Sequence, residues 1–143
     1  MSSAIYFDSD DGSVIDCTFI NNSAKYAGAV LFFQSGKLIN CTFINNSATM
    51  GHGAVQFRIG VGDVTNCTFI NNRAAEDCGA LYIFEGTVTN CTFTNNKANG
   101  KGGAIHIQSS NVINWYLYSY LFFVEKQLTV ILSTKKLLTT KNK

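Results

Sequence analysis

The chain has 143 residues, a formal net charge of +2, no proline, 46% hydrophobic residues and only 14% charged residues. This length suffices for one domain with a continuous core, and this composition argues against an intrinsically disordered protein. Five lysines beyond residue 114 produce the positive sign, so the rest of the chain carries no basic stripe of the kind that nucleic-acid binding needs.

Residues 1–16 predict a partial first repeat unit. Ile5 and Phe7 flank Tyr6 in the alternation of a half-buried strand, and this stretch matches the second half of the later units. The next loop crowds aspartates at positions 8, 10 and 11 but lacks the spaced ligands of a calcium loop, so a solvated turn is expected. The chain is therefore expected to begin in the middle of a coil.

Four tandem units follow, and two signatures define them. The hexapeptide Cys-Thr-Phe-Ile-Asn-Asn begins at residues 17, 41 and 67, and a variant with threonine in fourth place begins at 91, so the intervals are 24, 26 and 24 residues. Glycine, alanine and an apolar residue recur with the same period from Gly28, Gly53, Gly79 and Gly103. Two signatures on one period predict tandem structural units. Their predicted bounds are 17–40, 41–66, 67–90 and 91–114.

Each unit predicts one coil of a parallel β-helix. Short stretches of period-two alternation are separated by glycine, asparagine and serine, and no unit contains a long stretch of helical periodicity. A leucine-rich repeat would need leucines at fixed positions, which the units lack. Three short strands and three bends fit a unit of this length. The sequence therefore predicts an all-β fold, a right-handed parallel β-helix of about five coils with ~24 residues per coil, stacked at ~4.8 Å.

Stacking of coils predicts columns of identical side chains. Cysteine and phenylalanine stand two residues apart in every hexapeptide, so both are expected to point inward, whereas asparagines are expected to stack at the bends, where they tolerate a left-handed backbone. The predicted columns are Cys17, Cys41, Cys67 and Cys91, then Phe19, Phe43, Phe69 and Phe93, and then Asn22, Asn46, Asn72 and Asn96. Asn40, Asn66, Asn90 and Asn114 form a second predicted asparagine column, which Asp16 begins.

The strand after the glycine and alanine predicts a ligand-binding face. Its outward positions are Tyr6, Leu31, Gln56, Tyr82 and His106. Exposed aromatic side chains stack on sugars or anchor a partner, so the candidate ligand-binding residues are Tyr6, Phe33, Tyr82 and Phe84. The alternative is that these are scattered surface aromatics without a ligand.

No catalytic, metal or cofactor site is expected. Zinc sites need close pairs of ligands, so the cysteines that recur once per unit are interpreted as small buried apolar groups, and Cys78 is expected to be accessible in a variable loop. Polysaccharide-cleaving β-helices need paired carboxylates, whereas each acidic residue after Asp16 occurs in one unit only. These isolated groups are Asp63, Glu76, Asp77 and Glu85, with His52 and His106 similarly isolated.

Residues 115–143 lose the period. Trp115 stands where the next cysteine is expected, and an apolar stretch then gives way to a lysine-rich end. One interpretation is an out-of-frame or truncated gene segment. The other is a cap, in which residues 115–124 and 127–133 add an irregular rung over the open end of the β-helix. No apolar run reaches the ~18 residues of a spanning helix, and no signal-peptide pattern follows Met1.

Two motifs carry a resemblance to known families. Phe-x-x-Asn, as in Phe93 to Asn96, and Gly-Gly-Ala-Ile, from Gly102 to Ile105, resemble the repeat of polymorphic outer membrane proteins. They look equally similar to the repeats of adhesin-like surface proteins of methanogenic archaea. The resemblance covers residues 2–114 and implies a right-handed parallel β-helix displayed on a cell surface.

The predicted function is therefore a non-catalytic, adhesin-like module of an exported surface protein, with a glycan or protein ligand, and the chain is expected to be a fragment of that protein. A fragment of a polysaccharide lyase or glycosidase is one alternative, and a passive structural spacer is another. A convergent carboxylate pair would favour the enzyme, and a contiguous aromatic patch would favour binding.

Overall fold

A computed structural model describes residues 3–100, 102–118, 122–124 and 130–131. Within these ranges all regular structure is β-strand, and no helix is present that could span a membrane. The strands are β1 Ile5–Phe7, β2 Gly12–Ile15, β3 Thr18–Ile20, β4 Ser23–Ala24, β5 Val30–Phe32, β6 Gly36–Ile39, β7 Thr42–Ile44, β8 Ser47–Ala48, β9 Val55–Thr65, β10 Thr68–Ile70, β11 Arg73–Ala74, β12 Leu81–Thr94, β13 Lys97–Ala98, β14 Ile105–Tyr118, β15 Phe122–Val124 and β16 Val130–Ile131.

The strands stack in parallel, each on its equivalent in the next unit. Val30 pairs with Val55, which pairs with Leu81, and Phe43 pairs with Phe69 in the same way. This confirms the predicted parallel β-helix with a repeat of about 24 residues, and the stack completes about 4 turns. The predicted right-handed winding stays a prediction.

Each coil has a fourth strand position that the sequence did not predict. The two-residue strands β4, β8, β11 and β13 form a separate 4-stranded sheet. Every inward residue of these strands is an alanine, from Ala24 to Ala98. Two residues with one small inward side chain give too weak a periodicity to distinguish a strand from a bend in the sequence.

Backbone pairing continues past residue 114. In β14, Trp115 pairs with Cys91 and Tyr118 with Thr94, in the register of the earlier coils. β15 pairs with β14 from Ile105 to Ile107, and β16 pairs with it at residues 112–113. Parts of the predicted tail therefore extend the parallel stack. The rest of that segment lies outside the described residues, and its assignment as a cap or an out-of-frame segment stays a prediction.

Two files of stacked phenylalanine rings run through the core. In the hexapeptide file, neighbouring ring centroids lie 5.0, 4.9 and 4.8 Å apart, and in the second file Phe32 lies 4.8 Å from Phe7 and 4.4 Å from Phe57. Phe43, Phe69 and Phe93 are fully buried. Burial of one such side chain stabilises a fold by ~1.5–3 kcal/mol, so the files are a main source of stability.

The two asparagines of each hexapeptide have different structural roles. The first, at positions 21, 45, 71 and 95, adopts the left-handed backbone, with φ between 53° and 59°. The second turns inward and forms a ladder, in which the Nδ2 of Asn46 donates to the Oδ1 of Asn72 at 3.1 Å and the Nδ2 of Asn72 donates to that of Asn96 at 2.9 Å. In each hexapeptide the left-handed residue is thus the first asparagine, and the predicted asparagine column consists of the second.

The side chain of Asn72 has a complete set of partners although it is fully buried. Its Oδ1 accepts from the backbone nitrogen and the Nδ2 of Asn46, and its Nδ2 also donates to the carbonyl oxygen of Phe43 at 3.0 Å. Both hydrogens of the Asn72 amide nitrogen are therefore donated to carbonyl oxygens, which can only accept.

Replacing Asn72 with aspartate should destabilise the protein strongly. The new carboxylate oxygen would face the oxygens of Phe43 and Asn96 in a buried site, so we expect the free energy of unfolding to fall by at least ~3 kcal/mol at pH 7 in urea denaturation. Asn71, the exposed neighbour, provides the control. We expect Asn71→Asp to change the free energy of unfolding by less than ~0.5 kcal/mol.

Acidic pH provides a second check on this variant. Burial raises the pKa of the introduced carboxyl group above its value in the unfolded chain, so the neutral acid is favoured in the folded state. The loss of unfolding free energy caused by Asn72→Asp should therefore grow as the pH rises above the unfolded pKa of ~4, and it should shrink below that pH. Equal losses of stability in the Asn71 and Asn72 variants would contradict the ladder.

Candidate functional site

Loops of successive coils stack beside the outward face of the strand that follows the glycine and alanine. The backbone nitrogen of Met50 donates to the carbonyl oxygen of Lys25 at 2.7 Å, and that of His52 donates to the oxygen of Tyr26 at 2.8 Å. Ala27 also forms a parallel bridge with His52. These bonds fix one loop on the next, so the side chains that the loops carry are held in place.

The loops cover part of the face that was predicted to be exposed. Leu31, Gln56, Tyr82 and His106 stand in one outward file, as the register requires. Leu31 is only 2% exposed and His106 only 7%, so both are buried although they occupy the outward strand positions that the sequence predicted. The physical reason is that corner loops fold back against the strand, and His52 packs on the ring of Tyr82.

Three rings form a cluster on this face. The ring of His52 stacks on Tyr82 with a centroid distance of 4.2 Å, and His106 meets Tyr82 edge-on at 5.2 Å. The Nδ1 of His52 lies 3.1 Å from the carbonyl oxygen of Asp77, which can only accept, so Nδ1 carries the hydrogen. Burial lowers the pKa of His52, which keeps the ring neutral near pH 7 and leaves Nε2 as an acceptor.

A cavity of about 290 Å³ opens beside this cluster. Arg58 lines the cavity, and its guanidinium lies 5.1 Å from the ring centroid of Phe33. The Nζ of Lys25 lies 5.2 Å from the ring centroid of Tyr26, which is another lining residue. The lining residues come from two successive coils and are Tyr26, Leu31, Gly51, His52, Gln56 and Arg58.

Arg58 stands at the start of a bulge. Phe57 pairs with Ile83 and Val61 with Glu85, so residues 58–60 stand opposite Phe84 alone. The bulge accommodates the two residues by which this unit exceeds the next, and Gly60 within it has a φ of 86°. Alternation along the strand directs Arg58 outward on the same face as Gln56, and both residues line the cavity.

The four candidate ligand-binding residues lie on this face with different surroundings. Tyr82 is half-buried in the ring cluster and donates its hydroxyl to the Oε1 of Gln108 at 3.1 Å. Phe33 is half-buried beneath Arg58, and Phe84 is half-buried opposite the bulge. Tyr6 is 40% exposed and donates to Asp8 at 2.9 Å.

Sequence reasoning missed Tyr26, His52 and Arg58 as parts of one site. Alignment of the units on the glycine and alanine places Ala27, His52 and Cys78 at one position, so the loop residues already had a common frame. The sequence did not show which way the loops turn relative to the strand, because hydrogen bonds between loops of successive coils determine this.

Residues 90–108 match the model of the Chlamydia polymorphic membrane protein repeat. The matched segment contains both Phe93 to Asn96 and Gly102 to Ile105, the two motifs that carried the resemblance, and thus confirms it for this part of the chain. In the structure it runs from the end of β12 through β13 into β14. No curated protein and no solved structure matches the chain.

Two acidic side chains of the repeats, those of Asp63 and Glu76, accept hydrogen bonds within the fold. The Oδ1 of Asp63 accepts from the hydroxyl of Thr87 at 2.8 Å, and the Oε2 of Glu76 accepts from the backbone nitrogen of Gly51 at 3.1 Å. Among the residues that the structure describes, no three histidine, cysteine, aspartate or glutamate side chains form a group that could hold a metal ion. Asp63 thus links two neighbouring strands, and Glu76 links the loops of two successive coils.

The repeat cysteines stack in register, and three of the four are buried. The backbone nitrogen of Cys41 donates to the Sγ of Cys67 at 3.4 Å, and that of Cys67 donates to the Sγ of Cys91 at 3.4 Å. Burial raises the pKa of the Cys41 thiol to about 11, and the thiol of Cys91 together with burial raises that of Cys67. Cys17, in the first coil described, is partly exposed, contrary to its prediction as a buried group.

Cys78 is buried, although its loop position predicted accessibility. It is 0% exposed, its φ is 62°, and its Sγ lies 3.8 Å from the carbonyl oxygen of Ala104. The bridged loops explain this, because Cys78 occupies the position of Ala27, which is also fully buried between loop and core. Burial raises the pKa of its thiol.

Thiol labelling checks these assignments. In the folded protein at pH 8, we expect a maleimide or iodoacetamide reagent to modify Cys17 alone, because Cys17 is partly exposed and the other four thiols are buried out of the reagent's reach. All five cysteines should react in denaturant, which serves as the control. Peptide mass spectrometry locates the labels, and modification of Cys41 or Cys78 at the rate of Cys17 would contradict the described packing.

Proposed function

We propose that this chain is a non-catalytic, adhesin-like module of a cell-surface protein, which binds a glycan or protein through the face that carries the cavity. The observation that carries the proposal is the built site on that face, where Tyr26, His52 and Arg58 converge from loop and bulge on one cavity. The match of residues 90–108 to a membrane-protein repeat supports a location at the cell surface.

The scaffold suits display of a binding site. Each coil contacts its neighbours through a continuous parallel ladder, so a solenoid presents an extended and rigid surface. Preformed sites lose little conformational entropy on binding. The corner loops meet this condition, because backbone hydrogen bonds of 2.7 and 2.8 Å join them from coil to coil.

A passive spacer and an enzyme fragment are the rival functions. A spacer needs only the ladders, and it gives no reason for a cavity whose wall carries Arg58 beside Gln56. An enzyme that cleaves glycosidic bonds needs two carboxyl groups facing one substrate. The partners of Asp63 and Glu76 are a threonine hydroxyl and a backbone amide, which favours the structural interpretation of both carboxylates.

A binding assay tests the adhesin-like function. Beads coated with the folded chain should adhere to a glycan array or to cultured cells, and Tyr26→Ala should reduce adhesion several-fold because it removes an exposed ring from the cavity. Ile20→Ala is the matched control, since Ile20 is 52% exposed on the hexapeptide strand, away from the cavity lining. Absence of adhesion to every surface by a correctly folded chain would favour the spacer.

An activity assay tests the proposal that the chain is not an enzyme. We expect no release of reducing ends or unsaturated products from polygalacturonate and other acidic polysaccharides. Turnover that disappears in the Asp63→Asn variant, while the circular dichroism spectrum is retained, would overturn this proposal and favour the polysaccharide-active alternative.

A further inference from the structure

We propose that the cavity binds a sugar residue carrying a carboxylate, of the uronic acid type, and that Arg58 pairs with that carboxylate. This inference rests on the proposed function, because it names the ligand class of the same site. Three properties of the described residues carry it: the size of the cavity, the chemistry of its walls, and the fixed position of the cation.

The size of the cavity suits a single sugar ring. Its volume is about 290 Å³, just below the ~300–1,000 Å³ range of drug-sized ligand pockets, as expected for a site that holds one small ring. Tyr26 at the wall is 37% exposed, so part of its ring is available as an apolar platform. A pyranose ring presents C–H groups on its faces and hydroxyl groups at its rim, and an aromatic ring complements the faces.

The other walls provide hydrogen bonds for the hydroxyl groups. The half-buried amide of Gln56 has both donors and an acceptor, and the neutral ring of His52 retains an acceptor at Nε2. A hydroxyl group of a sugar both donates and accepts, so this mixture matches a polyol better than it matches a purely apolar ligand. Leu31 forms an apolar part of the wall.

Arg58 gives the site its preference for an acid. A guanidinium group binds a carboxylate through two parallel hydrogen bonds, and such charge-assisted bonds are among the strongest in proteins. Its position above Phe33 limits the arrangements of the side chain, and Lys25 adds a second positive charge beside Tyr26. Glu76, whose carboxylate accepts from Gly51 in the cavity wall, repels a ligand with two negative charges such as a phosphate ester more strongly than one with a single carboxylate.

The loop geometry keeps the cavity open without a ligand. Gly51 in the wall has a φ of 87°, and a Cβ at this position would lie 2.9 Å from the carbonyl oxygen of Tyr26. The close approach of two loops therefore depends on glycine, and the carboxylate of Glu76 secures the same residue. Binding thus requires little ordering of the loops.

A pair of sugars that differ in one group tests the inference. Methyl β-glucuronide carries a carboxylate where methyl β-glucoside carries a hydroxymethyl group. In titrations of the full chain followed by NMR, we expect the glucuronide to bind at least ~10-fold more tightly, because the guanidinium of Arg58 can pair with its carboxylate and has no charged partner in the glucoside. The shifted signals should belong to residues of the cavity wall, and the affinity should fall as salt is added.

Two variants locate the preference. Arg58→Gln retains a planar hydrogen-bonding group without the charge and should bring the two affinities within about twofold of each other. Lys37→Gln removes an equally exposed positive charge from the neighbouring strand β6 and should leave the preference unchanged. Arg58 is exposed, so its variant should fold, and an unaltered melting temperature verifies this.

Several results would overturn the inference. Equal binding of both sugars by the unmodified chain, a preference that survives Arg58→Gln, or tighter binding of methyl glucoside 6-sulfate would each exclude a carboxylate-specific site at Arg58. Cell or array adhesion that persists in any of these cases would leave the adhesin-like function intact and assign it to another ligand. Loss of adhesion as well would reject both proposals.

Discussion

Parallel pairing in constant register between coils is the constraint on which the rest of this structure depends. An inward side chain has as its closest neighbour the residue one repeat later, so a residue that can stack on a copy of itself is favoured at each position. Phenylalanine does so through parallel rings 4.8–5.0 Å apart in the hexapeptide file. Asparagine does so because its amide has a donor and an acceptor, which gives the bonds of about 3 Å from Asn46 to Asn96.

The same constraint explains where the structure departs from regularity. Inside the coil a change of length would break the phenylalanine and asparagine columns, so extra residues are accommodated at outward positions. The bulge at residues 58–60 does this within β9, and the pairs Phe57–Ile83 and Val61–Glu85 resume the register on both sides of it. Loops and bulge therefore vary while the ladders persist, and the candidate site is made of these variable parts.

Much of the architecture could be predicted because repetition makes a sequence informative about contacts between coils. The alternation of cysteine and phenylalanine identified an inward face, and the register pairs Phe43 with Phe69 as the period predicts. Cys78 was predicted to be accessible in its loop, and Leu31 and His106 were predicted to face outward, yet all three are buried. Alternation reports which side of a strand a residue occupies, whereas burial also depends on whether a loop covers that side, and the loops at Tyr26 and His52 do so.

The sequence by itself determined the coil, its period and the inward columns, because each depends on short-range alternation repeated at a fixed interval. Only the tertiary structure decided which asparagine of each pair is left-handed and which is buried, because both are the same residue in adjacent positions. It also decided that Tyr26, His52 and Arg58 share one cavity. That convergence depends on how loops of different coils hydrogen-bond to one another, and such bonds leave no periodic signal in the sequence.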